Sequence, residues 1–200
     1  VEMKRKRHGC AAVIVGYKLY IFEGYDKDAK ATLDSCECYD LFTRQPQDMA
    51  SMSTGREYCT ASAIGNKIYV FGGKDGNNTH LNTMEIYDIG ENHWTNGCPM
   101  PTRRSRCASV AFQNFIMVIG GRSENEGEYF DTVHLYDTEC QEWVGGSLHR
   151  MNQGRSGCTA AIAIVDNRKK LFVVGGNDGK HALNTTELLD LGVAAEENNT

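Results

Sequence analysis

An all-β fold of radially stacked four-stranded sheets is predicted by three observations. A unit of about fifty residues runs four times through the 200-residue chain. Strand-length apolar segments alternate with turns rich in Gly and Asn, and helical periodicity is absent throughout.

The repeat shows in anchors that recur in register. Met3, Met52, Met100 and Met151 open the series, and four residues after each stands an arginine: Arg7, Arg56, Arg104 and Arg155. Three residues further on come Cys10, Cys59, Cys107 and Cys158. The doublets Gly72-Gly73, Gly120-Gly121 and Gly175-Gly176 share one position, and Tyr39-Asp40, Tyr87-Asp88 and Tyr136-Asp137 share another, with Leu189-Asp190 as the fourth version. Trp94 and Trp143 each follow their tyrosine by seven residues. The whole chain, 1–200, is thus one repeat region with units at about 4–52, 53–100, 101–151 and 152–200.

Each unit reads as four short strands. The first is small and apolar (59–64, 107–112, 158–164), and a tight hairpin such as Gly65-Asn66 follows it. The second is β-branched and aromatic (68–71, 115–119, 171–174) and ends on the glycine doublet. A polar loop leads to a third, alternating strand such as 83–87, whose Tyr is followed by an Asp suited to start the next turn. The fourth strand carries the Trp. A sheet apolar on both faces cannot bury both alone; stacking sheets around an axis solves this and leaves only short, protected edges. The small first strand suits the crowded axis. The doublet glycines suit a place where a neighbouring backbone leaves no room for a side chain.

Gly-Gly, then Tyr-Asp, then Trp, as in residues 70–73, 86–88 and Trp94, resembles the kelch repeat, and the resemblance covers nearly the whole chain. It implies an all-β architecture of kelch-type β-propeller blades: four repeats of four-stranded antiparallel sheet, the last incomplete, forming part of a larger propeller. Departures are informative. In the first unit Glu23-Gly24 replaces the doublet and Pro46 stands in place of Trp, so an irregular outer strand and altered backbone near Glu23 are expected. In the fourth, Leu189 replaces Tyr, Glu196 falls where Trp belongs, and the tail 192–200 makes a poor strand. An open arc of blades is expected, not a closed ring.

Composition narrows the function. With 40% apolar and 24% charged residues and a net charge of −5, the chain is neither disordered nor a nucleic-acid binder, and no apolar run is long enough to span a membrane as a helix. Eight cysteines are even in number, but repeat-equivalent ones lie on different sheets about 10 Å apart, beyond disulfide reach. Inert thiols and a cytoplasmic location, with a nuclear one as alternative, are therefore expected. Lys4-Arg5-Lys6-Arg7 reads as this unit's version of a basic loop in preference to a nuclear localisation signal. The six histidines are scattered, and the recurring aspartates suit turns, so no catalytic residue, metal or cofactor is expected.

Binding specificity is expected in what varies between units. Strand polarity puts the loop after the second strand at the same end as the loop carrying the arginines. Arg56, Tyr58, Arg104, Ser105, Arg106, Arg155 and Ser156 from one set of loops, and Asn77, Arg122 and Asn177 from the other, form the expected partner surface. Arg7 would join the other recurring arginines around one mouth, where guanidinium forks suit a partner protein or an acidic or phosphorylated peptide. The competing reading has these arginines tying blades together through the turn aspartates. Arg106 stands apart, because the other units carry Gly9, Tyr58 and Gly157 at its position. The expected function is a protein-interaction module, such as a ubiquitin-ligase substrate adaptor or cytoskeletal scaffold. Kelch-related oxidases and sugar-acid epimerases supply the enzymatic alternative.

Overall fold

The computed structural model of the chain describes residues 2–123 and 128–193. Every element in them is a β-strand. The first sheet contains β1 (Ala11–Val15) and β2 (Lys18–Phe22); a small ribbon of β3 (Tyr25–Asp26) and β4 (Ala31–Thr32) precedes β5 (Cys36–Asp40) and β6 (Pro46–Gln47). The second orders β7 (Thr60–Ile64), β8 (Lys67–Phe71), β9 (Met84–Asp88) and β10 (His93–Asn96). The third orders β11 (Ala108–Phe112), β12 (Phe115–Ile119), β13 (Thr132–Asp137) and β14 (Glu142–Trp143), with β15 (His149–Arg150) also on β13. The fourth contains β16 (Thr159–Val165), β17 (Arg168–Val174) and β18 (Thr186–Val193). All pairings are antiparallel, and the four sheets are the blades of a β-propeller.

The small first strands pack against one another in succession, β1 on β7, β7 on β11 and β11 on β16. Among the described residues no comparable packing joins β16 to β1. Between blades the cores are layered: Phe22, Ile68, Val70 and Tyr87 between the first two, Phe71, Ile116, Val118 and Tyr136 between the next two. Each tryptophan crosses such a boundary. Trp94 stands edge-on to Phe22 of the preceding blade and donates Nε1–H to the Ala50 carbonyl at 2.9 Å; Trp143 does the same with Phe71 and the Cys98 carbonyl at 3.0 Å. Met52, Met100 and Met151 are buried at the blade boundaries, whereas Met3 is exposed.

The aspartates act as expected in turns. The Oδ1 atoms of Asp40, Asp88 and Asp137 each accept two backbone N–H groups, from residues two and three further on. β6 is the irregular outer strand expected where Pro46 replaces Trp, a two-residue pairing with Cys38 and Tyr39. The backbone at Glu23 corrects an expectation. Its φ of 57° matches Gly72 and Gly120 at 60°, so the turn is kept and the glutamate takes a left-handed conformation. The remainder of the fourth blade's outer segment, including Glu196, lies outside the described residues. All eight cysteines are free; burial pushes the Cys107 thiol up to about 12 and Cys59 well above its ordinary value.

The doublets close the blade-to-blade contact. Gly73 N–H donates to the Arg104 carbonyl at 3.0 Å and Gly121 N–H to the Arg155 carbonyl at 2.8 Å, each reaching the next blade. A β-carbon on Gly120 would stand 2.5 Å from that same Arg155 oxygen, and φ there is +60°. Gly120→Val is therefore expected to cost more than about 3 kcal/mol, through left-handed strain plus a backbone collision, read as a lowered urea midpoint.

Candidate functional site

The recurring arginines are not on the surface. Arg56, Arg104 and Arg155 are wholly buried, and the Arg7 side chain is too. Their Nη1 atoms donate to the carbonyl that ends the second strand of their own blade: Glu23, Gly72, Gly120 and Gly175, at 2.8, 3.0, 2.8 and 2.9 Å. In three blades Nη1 also meets a carbonyl before the third strand (Ser35, Thr83, Thr185), and Nη2 pairs with a glutamate of that strand (Glu37, Glu85, Glu187). Placing Arg56, Arg104 and Arg155 on a partner surface is thereby corrected. Their donors are consumed in the interior, and for Arg56 and Arg155 glutamates, not the turn aspartates, receive the charge. The clue was available: Glu37, Glu85 and Glu187 all stand two residues before the Tyr or Leu anchor.

The third blade breaks the pattern twice. His134 occupies the glutamate's position, and Pro101 occupies the place from which Lys4 and Ser53 donate backbone N–H to Glu37 and Glu85. Proline has no N–H to give, so a carboxylate here would lose that donor. Arg104 instead bonds Thr102 and Thr132 hydroxyls and lies over the Phe130 ring at 4.4 Å. Burial lowers its pKa to about 10, and among the described residues no carboxylate pairs with it. At the first boundary the excess runs the other way. Glu23 Oε1 lies 3.0 Å from Arg56 Nε, while Glu85 holds the other end of the same guanidinium. Burial, aided by the Glu85 charge and opposed by Arg56, pushes the Glu23 carboxyl well above 4.5.

The surface that does face outward is built at the axis. Gly9, Tyr58, Arg106 and Gly157 occupy one repeat position, and all have left-handed backbone, φ 63°, 58°, 55° and 65°. They are joined blade to blade: Tyr58 N–H donates to Gly9 O at 2.7 Å, Arg106 N–H to Tyr58 O at 2.8 Å, and Gly157 N–H to Arg106 O at 2.7 Å. Side chains stack along this relay, with the Tyr58 ring over Gly9 and the Arg106 guanidinium 3.8 Å from the Tyr58 ring centre. A non-glycine residue pays about 1 kcal/mol for such a backbone, so two bulky side chains there carry a cost that the glycines of the other blades avoid.

Beside the relay the two loop sets meet as expected, through single bridges that include Glu57 to Lys74, Ser105 to Arg122 and Ser156 to Asn177. A polar cavity of about 460 Å³ opens there, lined by Arg106, Arg122, Tyr129, Ser156, Gly157, Gly176 and Asn177. Neither Arg106 nor Arg122 has an ion pair or a side-chain hydrogen bond among the described residues, and the Nε atoms of both are buried without a partner. Ser105 is fully buried beneath, and Asn77 sits apart on an exposed loop tip whose N–H bonds Asp75 Oδ1. Tyr129 was missed by sequence reasoning, as it lies just past the variable loop, whose residues 124–127 are outside the described set. Among the described residues no group of three His, Cys, Asp or Glu side chains is placed to hold a metal.

The sequence profile of the KLHDC2/KLHL20/DRC7 Kelch-repeats domain matches residues 2–176. No curated protein matches the chain.

Two outcomes follow from the buried charges. His134→Glu offers Arg104 a counter-ion, but with no N–H at Pro101 to answer the new carboxylate the single change should not raise the melting temperature, whereas His134→Glu combined with Pro101→Ser should raise stability by about 1 kcal/mol. In the folded chain Glu23 binds a proton that the unfolded chain releases, because its pKa is raised above 4.5. Its contribution is therefore fully present below the unfolded value and is lost as pH climbs through the folded one. In melts taken from about pH 5 to 8, the parent chain should lose stability relative to Glu23→Gln.

Proposed function

The chain belongs to the kelch-repeat family, and from that premise we propose that it is a protein-interaction module whose loop face binds an acidic segment of a partner protein. Kelch propeller folds suggest protein interaction in general, and kelch-repeat proteins are typically not enzymes. The observation that carries the finer reading is the Tyr58–Arg106 stack. Two large side chains sit at left-handed positions where glycine serves in the other two blades, and the blade hydrogen bonds formed there use backbone atoms alone. The side chains are therefore surplus to the architecture. Strain retained at a surface is a mark of function.

Arg106, with Arg122 across the cavity, presents guanidinium donors to which no carboxylate of the described residues responds. A carboxylate pair from an extended acidic segment would satisfy both, with Tyr129, Ser156 and Asn177 beside them. Roles as a ubiquitin-ligase substrate adaptor or a cytoskeletal scaffold are both consistent with such a face. Eight free thiols support a reducing compartment, cytoplasmic or nuclear. The decisive test is Arg106→Gly, assayed against an array of acidic peptides and by thermal melting. Binding should weaken by about 1–3 kcal/mol, while stability holds or rises by about 1 kcal/mol as the left-handed strain is relieved. Unchanged binding, or a loss of stability, would remove this face from consideration.

A further inference from the structure

A second opening lies in the third blade, where the internal glutamate is replaced. A cavity of about 310 Å³ is lined there by Thr102, Thr132, His134 and Arg150, with the carboxylates of Glu128 and Asp131 in its wall. Three departures from the repeat coincide in this blade. His134 stands where Glu37, Glu85 and Glu187 stand, and Pro101 stands where Lys4 and Ser53 donate N–H to the first two. The outer segment is also longer, since Met151 follows Trp143 by eight residues and Met100 follows Trp94 by six. β10 pairs with β9 without a break, whereas β14 and β15 hold only the two ends of β13. Between them lies Gly145-Gly146, where an added β-carbon would meet nothing within 4 Å among the described residues.

The donors of this cavity follow from the buried arginine. Arg104 donates from Nε and Nη2 to Thr102 Oγ1, and from Nη2 to Thr132 Oγ1. Each hydroxyl oxygen therefore accepts from a cation, and its own proton is left to donate. Among the described residues no acceptor takes either proton. A hydroxyl that accepts from a guanidinium is polarised into a stronger donor. His134 Nδ1 meets the Gly146 carbonyl at 3.3 Å, which leaves Nε2 for another partner. Arg150 engages both oxygens of Asp131 through Nη1, so that carboxylate is spent. Glu128 is exposed, and solvent screens its charge far more than that of the buried Arg104.

We propose that this cavity binds a carboxylate from another molecule, which accepts from the Thr102 and Thr132 hydroxyls and answers the Arg104 charge. The repeat itself specifies the occupant. In the other three blades the equivalent guanidinium meets a carboxylate, Glu37, Glu85 or Glu187. A small organic acid and the Asp or Glu side chain of a partner both present that group. The site is separate from the loop face, whose guanidinium groups belong to Arg106 and Arg122. Burial, together with the Arg104 and Arg150 charges, holds His134 below its ordinary 6.5. A carboxylate beside the ring favours the imidazolium, so binding takes up a proton and tightens as pH falls.

The test uses the whole 200-residue chain with 5-fluorotryptophan at both tryptophans. Trp143 stands edge-on to His134 at 6.4 Å and reports the site, while Trp94 serves as internal reference. Acetate is titrated against chloride at equal ionic strength. A saturable shift of the Trp143 fluorine resonance is expected with acetate alone, and its affinity should rise at least roughly threefold from pH 8 to pH 6. The peptide acetyl-Gly-Glu-Gly-amide separates the two sources: tighter binding than acetate assigns a partner side chain, and weaker binding a free acid. His134→Glu with Pro101→Ser restores the internal pair and should abolish the response, whereas Arg106→Gly should leave it unchanged. Indifference to acetate, an equal response to chloride, an affinity flat with pH, survival in the double variant or loss in Arg106→Gly would each overturn the proposal. So would a response confined to a Glu124→Gln, Glu126→Gln chain, because the chain would then supply the carboxylate itself.

Discussion

A buried guanidinium in each blade is the constraint on which the rest of the structure depends. The glycine doublet turns the chain sharply at the end of the second strand, which aims the carbonyl of its first residue into the blade, away from any strand partner. An unpaired buried carbonyl is costly, and a side chain that reaches it with a charged donor removes that cost. The arginine does this with Nη1 in all four blades. Its own carbonyl meanwhile accepts the N–H of the second doublet residue of the preceding blade, as at Arg56, Arg104 and Arg155. One residue thus fixes its blade from within and its neighbour from without. This is why the arginine and the doublet recur together.

The same arrangement explains what could be read from the chain and what could not. Strand boundaries, turn aspartates and the crowded doublets were legible because each is a local rule: alternation, an Asx turn, the lack of a side chain. The arginines misled because recurrence says that a residue matters without saying which way it points. A loop position adjoining variable residues suggested a surface, yet the guanidinium turns inward to the doublet carbonyl. The third-strand glutamates were the discriminating signal, since a carboxylate recurring in step with an arginine, on a strand that is otherwise buried, is the mark of an internal pair. Arg106, the one arginine of its group that does not recur, stacks on Tyr58 and has no carboxylate partner among the described residues.

Replacement of a pair is graded by what surrounds it. In the third blade, losing the glutamate coincides with losing the backbone donor at Pro101, so neither partner is left with an unmet carboxylate, and Arg104 falls back on hydroxyls and the Phe130 face. In the first blade, Glu23 adds a carboxylate at a left-handed position and shares Arg56 with Glu85. Both departures concern buried groups, and each adjusts the electrostatics of one boundary without moving the backbone.

Departures at the axis differ in kind, because among the described residues they leave guanidinium donors that no internal partner answers. The relay of Gly9, Tyr58, Arg106 and Gly157 needs only left-handed backbone and one N–H and one carbonyl per blade, and glycine supplies these without strain. Tyrosine and arginine at two of these steps add cost and gain no architectural bond. A repeat protein sets its own standard of satisfaction, since each unit shows what its neighbours' atoms require. Atoms that fall short of that standard are the ones available to another molecule, and among the described residues they collect at the guanidinium cavity on the loop face.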